Sequence, residues 1–272
     1  MEHKVFTLED DFAASMSESY TVDGASEVFK AHKASAVIVH SVKRRNTGDT
    51  MNTSAKKPAR RHVVALVISI IIAIMEPATW CMMLFSRSDM PLTSIGLLSL
   101  RYFTVLSNLL LGLASLIYAI CLIRVLRGSV EHAPIWAHRL KFAATTAVTV
   151  TLMTVLLFLG PTLGYGAMFA GVNFWFHLAL PVLGIVEFIL FDVSEPVSFK
   201  GTLLGVLPTF IYGIFYCGNI LINGVGEGRA TNDWYGFAMW GVEYMPVVFA
   251  IMLLATWVFA IALRALNRRF AK

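Results

Sequence analysis

Six apolar stretches of about 21 to 25 residues occupy nearly everything after Arg61, at His62–Ser86, Leu100–Ile123, Leu140–Leu163, Met168–Phe191, Thr202–Ile222 and Tyr244–Leu266. At about 1.5 Å of rise per residue, each spans or exceeds a hydrocarbon core of about 30 Å. Lipid offers no partner to backbone N–H and C=O groups, so each stretch is expected to be a helix. The fold class that follows is all-α, a six-transmembrane-helix bundle formed by residues 59–272 as one membrane domain. Composition agrees, with 57% hydrophobic residues, 14% charged residues and a mean hydropathy of +0.69.

A net charge of +5 would suit nucleic acid, but the basic residues cluster where the helices end. Membrane lipids with anionic headgroups are the expected partner, and nucleic acid is not. Thirteen of the 16 basic residues from Lys56 onward fall on one side of the expected bundle: Lys56, Lys57, Arg60, Arg61, Arg124, Arg127, Arg139, Lys141, Lys200, Arg264, Arg268, Arg269 and Lys272. Arg87, Arg101 and Arg229 fall on the other. The positive-inside rule puts both termini in the cytoplasm of a cell membrane, and the even helix count agrees. Trp80, Trp175, Trp234 and Trp240 then lie at or near the outer ends, as an interfacial belt would.

Residues 1–58 lack a sustained apolar period, carry scattered acids and then the basic run Lys43, Arg44, Arg45, and read as a flexible cytoplasmic tail. Alternatively the chain starts internally at Met51, whose short, polar, basic lead resembles an ordinary membrane-protein start. A cleaved signal peptide is not expected, because the first stretch is too long and holds Glu76-Pro77 instead of a small-residue cleavage site. Cys81, Cys121 and Cys217 are odd in number and lie in or beside apolar segments, so they read as packing residues.

The informative minority is polar and inside the helices, where an unpartnered charge or amide costs several kcal/mol. From about 1.5 Å per residue, Glu76 lies about 20 Å from the inner edge, Ser107 and Asn108 about 11 to 12 Å below the outer surface, Asn173 about 8 Å and His177 about 14 Å. Arg101 and Thr104 sit near that surface. Arg101, Thr104 and Asn108 share a sector of about 60° on the second helix, and Asn173 and His177 are an i, i+4 pair on the fourth. Pro77, Pro181 and Pro208 interrupt helices, which is tolerated mainly beside a cavity or inside protein. An outward-opening polar pocket is the simplest expectation. Glu187 and Asp192 stand apart near the inner interface.

Each of these residues also has a plain packing explanation. A lone Thr or Ser in a membrane helix usually bonds its own i−4 carbonyl, and Asn108 and Asn219 are common helix glue. Gly160-x-x-x-Gly164 and Gly201-x-x-x-Gly205 read as close helix contacts. Bis-histidine haem would need a second deep His, whereas His62, His132 and His138 fall at ends or in loops. There is no H-E-x-x-H, G-x-S-x-G or Gly-rich phosphate loop, and the chain implies no cofactor and no metal site.

Arg101-Tyr102-Phe103-Thr104-Val105-Leu106-Ser107-Asn108, together with Asn173-x-x-x-His177 and Pro181, resembles the androgen-induced protein family, multi-pass hydrolases of branched fatty-acid esters. It is similar too to a larger set of six-helix bacterial membrane proteins without an assigned activity. The family's K/R-Y-x-T and N-x-x-x-H cores match Arg101, Tyr102, Thr104, Asn173 and His177; its Asn and Pro are each displaced by one residue here, and its second His is aromatic. The resemblance implies a Thr104 nucleophile with His177 as base. A Thr hydroxyl needs such a base within hydrogen-bond reach. Asn108 or Asn173 would steady an oxyanion or the imidazole, Arg101 would hold a fatty carboxylate, Glu76 is a further supporting residue, and Ser107 is a rival nucleophile.

Two functions stay open: a lipid-ester hydrolase, or a non-enzymatic lipid-binding scaffold or transporter. No inverted repeat relates the first three helices to the last three. The charge pattern predicts that a C-terminal tag is reached only after the cell is permeabilised; labelling of that tag from outside intact cells would overturn the topology.

Overall fold

The computed structural model describes residues 60–85, 96–192, 196–227 and 231–270, and all six expected stretches in them are helical. The expected tail, 1–58, lies outside the described residues. The helices are α1 Arg60–Phe85, α2 Phe103–Leu126, α3 Ile135–Leu163, α4 Val172–Leu190, α5 Leu203–Asn223 and α6 Met245–Phe270. A 3₁₀ turn, Gly96–Arg101, leads into α2, and a single helical turn, Tyr165–Met168, lies between α3 and α4. No strand occurs among the described residues.

The distribution of side chains is inverted relative to a protein in water. Large apolar residues such as Ile74, Leu113, Leu157, Ile214 and Ile251 are exposed around the bundle, while Ser69, Glu76, Asn108, Lys141, Thr145 and Glu187 are fully buried. Lipid as the solvent explains both halves of that pattern, and the chain is a multi-pass membrane protein.

Successive helices alternate in direction, as the packing shows. Ala65 at the start of α1 meets Tyr118, Cys121 and Leu122 at the end of α2 and Ala137 at the start of α3. At the opposite end, Met83 packs with Val105 and Phe176, and Tyr216 and Ile220 pack with Met245. We call these the basic end and the aromatic end, after Arg124, Arg127 and Arg268 at the first and Tyr102, Trp234 and Tyr235 at the second.

Small residues let α5 and α6 close on the rest. A Cβ on Gly213 would stand 1.8 Å from the Phe249 ring, and one on Gly205 would meet Thr146 at 2.8 Å and Ala260 at 3.0 Å. Gly205 thus makes the close helix contact expected of it. Gly160 does not: its neighbour is the Tyr165 ring, in the connection after its own helix.

One finding departs from the sequence reading. Lys141 was expected to flank the membrane, but α3 begins at Ile135 and Lys141 is completely buried within it. Its Nζ donates to Glu187 Oε2 at 2.7 Å and to Ser115 Oγ at 2.5 Å, while Ser69 donates to the other Glu187 oxygen. His138, also expected at an end, is buried and donates from Nδ1 to Asp192 Oδ2 at 2.7 Å, with Tyr118 donating to Oδ1 at 2.6 Å. A buried ion survives only when paired, so removing one partner costs about 3–5 kcal/mol whereas removing both is often close to neutral. Lys141→Met alone is therefore expected to lower the thermal unfolding midpoint in detergent markedly, and Lys141→Met with Glu187→Leu to recover most of the loss.

Candidate functional site

The site is shaped by two prolines that sit just past π-helical turns. In the turn Val155–Leu159 the Gly160 amide donates to Val155 O, and in Trp175–Ala179 the Leu180 amide donates to Trp175 O. The next bond of each series would come from residue 161 to Leu156 O and from residue 181 to Phe176 O. Both positions are proline, which has no N–H. Side chains supply the missing donors: Tyr165 OH bonds Leu156 O at 2.8 Å, and Asn108 Nδ2 bonds Phe176 O at 3.1 Å. The second substitution ties α2 to the turn that carries His177.

His177 is held from the other side as well. Its Nδ1 lies 2.7 Å from Met168 O. A carbonyl only accepts, so Nδ1 carries the hydrogen and Nε2 is left with its lone pair. Met168 reaches this place because Gly164 (φ 89°) and Gly171 (φ 54°) turn the chain on both sides of the single helical turn, in a backbone region that glycine enters freely. Thr104, Asn173 and His177 all line one cavity of about 70 Å³, walled by Phe176, Trp234 and Tyr235.

The remaining expected residues divide. Arg101 and Ser107 line a separate, mostly apolar groove of about 510 Å³ between α2 and α5, beside Pro208 and Tyr212. The Arg101 guanidinium stands 5.1 Å from the Tyr102 ring centre and 5.3 Å from that of Trp234, and Nη2 donates to Tyr102 OH at 3.0 Å. The Ser107 hydroxyl is engaged with Thr104 O at 3.1 Å and Thr151 Oγ1 at 3.0 Å. Asn108 spends both amide hydrogens, on Thr104 O at 2.7 Å and on Phe176 O, so Asn173 is the amide with freedom to act in the cavity. Glu76 lines neither space; it packs against α2 where a Cβ on Gly112 would stand 2.8 Å from its own. The polar pocket expected from sequence is thus a small polar cavity with an apolar groove beside it.

Sequence reasoning missed the loop between α5 and α6. Asp233 gathers it by accepting from the Phe237 and Ala238 amides at 2.8 and 2.9 Å and from the Tyr216 hydroxyl. This holds Trp234 against Tyr212, which donates to Arg101 O at 2.7 Å, and brings Tyr235 OH to the Phe103 amide at 2.8 Å, at the start of α2. The Thr104 hydroxyl lies against the same phenol, whose ionisation burial pushes up to about 12, so Tyr235 keeps its proton at neutral pH. The only signal available was the aromatic run Trp234-Tyr235-x-Phe237 itself.

No protein-family model matches the chain, and no curated protein or solved structure matches it. The role of Asn108 is directly testable. Asn108→Ala leaves Phe176 O without this donor, while Thr104 O keeps the Ser107 hydroxyl, so the cost is about 1–3 kcal/mol for the one buried carbonyl left unsatisfied; a lowered unfolding midpoint is expected, and an unchanged one would show that the bond to the π turn contributes nothing.

Proposed function

We propose that this membrane protein hydrolyses fatty-acid esters, with Thr104 as nucleophile and His177 as general base. The observation that carries the reading is the single cavity shared by Thr104, Asn173 and His177, with His177 Nε2 left as acceptor. The motif resemblance to the androgen-induced protein family points the same way. In the first half-reaction Thr104 Oγ attacks the ester carbonyl carbon while His177 Nε2 takes the hydroxyl proton. The proton passes to the departing alkoxide, leaving an acyl-threonine. Water, deprotonated by the same nitrogen, then attacks the acyl carbon; the fatty acid leaves and the threonine hydroxyl is restored. Asn173 would donate to the oxyanion of each tetrahedral intermediate. The apolar α2/α5 groove suits an acyl chain, with the Arg101 guanidinium in its lining for a carboxylate. The distribution of basic residues supports cytoplasmic termini and a site opening to the outer leaflet.

A second reading, lipid binding without catalysis, is favoured by the Tyr235 hydroxyl that already engages Thr104. The two separate in detergent solution. If the hydrolase reading holds, purified protein cleaves fatty-acid esters and is labelled by a fluorophosphonate, and Thr104→Ala and His177→Ala each abolish both signals while Ser107→Ala does not. Loss in Ser107→Ala with retention in Thr104→Ala would transfer the nucleophile to Ser107. A folded wild-type protein that neither labels nor turns over any ester would favour the binding reading.

A further inference from the structure

Below the Thr104/His177 cavity, four helices direct acids, bases and hydroxyls toward one another through the depth of the bundle. At the basic end stands Asp192 with His138 and Tyr118. Next comes Glu187, shared by Lys141 and Ser69, with Ser115 on the far side of the ammonium. Seven residues beyond Ser69 on the same face of α1, about 10 Å farther along, is Glu76. It packs against Gly112 of α2, one turn from Asn108, within the electrostatic reach of Lys141 of α3. Thr145 lies one turn of α3 beyond Lys141, and toward the aromatic end Ser107 and Thr151 place hydroxyls 3.0 Å apart.

This series has a property that a purely structural network lacks. Among the described residues, the buried side-chain atoms with no hydrogen-bond partner are both Glu76 carboxyl oxygens, Asn108 Oδ1, His138 Nε2, Thr145 Oγ1 and Arg101 Nε. All but the last lie in the series. In a membrane interior each such group is strongly unfavourable, so a fold that keeps them together keeps them for partners that come and go. A metal ion does not suit, since no three His, Cys, Asp or Glu side chains gather as ligands among the described residues. A proton does, because carboxylates, imidazole and hydroxyls in sequence are groups that take and release one.

We propose that the interior of α1–α4 is a proton-transfer path, with Glu76 as its central exchanging group. One proton moves at each step. The Asp192–His138 pair protonates Glu187, whose paired ammonium, Lys141, keeps its own charge. Glu76 stands about 10 Å beyond the Ser69 that bonds Glu187, so the proton reaches its carboxylate along a chain of several waters, and Glu76 releases it to the hydroxyl groups that lead to the aromatic end. The charged group that acts on Glu76 is Lys141 from α3, and Gly112 from α2 packs against its side chain. The path is independent of ester hydrolysis, and its test contains no ester.

Full-length protein is reconstituted into vesicles of neutral and anionic phospholipid containing a trapped pH-sensitive dye, and a potassium diffusion potential is imposed with valinomycin. Wild-type protein is expected to carry protons several-fold faster than protein-free vesicles. Glu76→Gln should fall to the protein-free rate, Glu76→Asp should keep part of the flux, and Cys81→Ser, at an exposed position of α1, should match wild type. Each variant is checked by elution and thermal unfolding in detergent; if Glu76→Gln fails to fold, Thr145→Val takes its place and is expected to slow the flux. Wild-type flux no faster than protein-free vesicles, or wild-type flux in a folded Glu76→Gln or Thr145→Val protein, overturns the proposal.

Discussion

The ion pair between Lys141 and Glu187 is the constraint around which the bundle is arranged. Neither charge tolerates hydrocarbon alone, and both are fully buried, so α3 and α4 must meet at this level. Ser69 and Ser115 complete the coordination from α1 and α2, and four helices acquire a common register from one contact. Packing follows that register: Ile72, Leu111, Ala114, Ala144 and Val148 fill the adjoining layer, and Leu111 seats against Gly184 one turn from Glu187. α5 and α6 join by another principle, close approach at small residues, which suits helices that bring no buried charge to the centre.

The second organising device is the pairing of proline with a π-helical turn. A π turn shifts the hydrogen-bond series by one residue, and a proline placed just after it leaves one carbonyl open in a medium that cannot fill it. In α3 the open carbonyl is closed by Tyr165 from the following connection, a local solution. In α4 it is closed by Asn108 from another helix, and the position of the His177 ring becomes dependent on α2. That cross-connection turns two separate polar stripes into one site.

Helix number and alternation were legible in the sequence because lipid imposes an apolar length on every spanning segment, whereas the start of α3 at Ile135 instead of Leu140 and of α4 at Val172 instead of Met168 were not. Lys141 was misread because its partner Glu187 is 46 residues away, and near a helix start a buried lysine looks the same as an interfacial one. His138 was misread for the same reason, its partner Asp192 being 54 residues distant. Asn108 and His177 were identified as important, yet the bond that joins their helices depends on a π turn, which leaves no periodic trace. Tyr235 was invisible as a site residue because its place beside Thr104 is set by how Asp233 folds a loop, not by helix geometry.

The same asparagine stands between the two polar systems. Toward the aromatic end Asn108 fixes Thr104 O and Phe176 O beside the cavity; one turn the other way, Gly112 receives Glu76. On α4, His177 and Glu187 are ten residues apart, about 15 Å along a helix, with the rest of the π turn and Pro181 between them. The segment on the Glu187 side is tied to α3 by an ion pair and to α1 by the Ser69 hydroxyl bonded to the same carboxylate. The segment on the His177 side is tied to α2 and to Met168 O by neutral hydrogen bonds, which are individually weaker. Motion of α4 is therefore expected to concentrate at its π turn, so that the imidazole can shift relative to Thr104 while the charged core keeps its register.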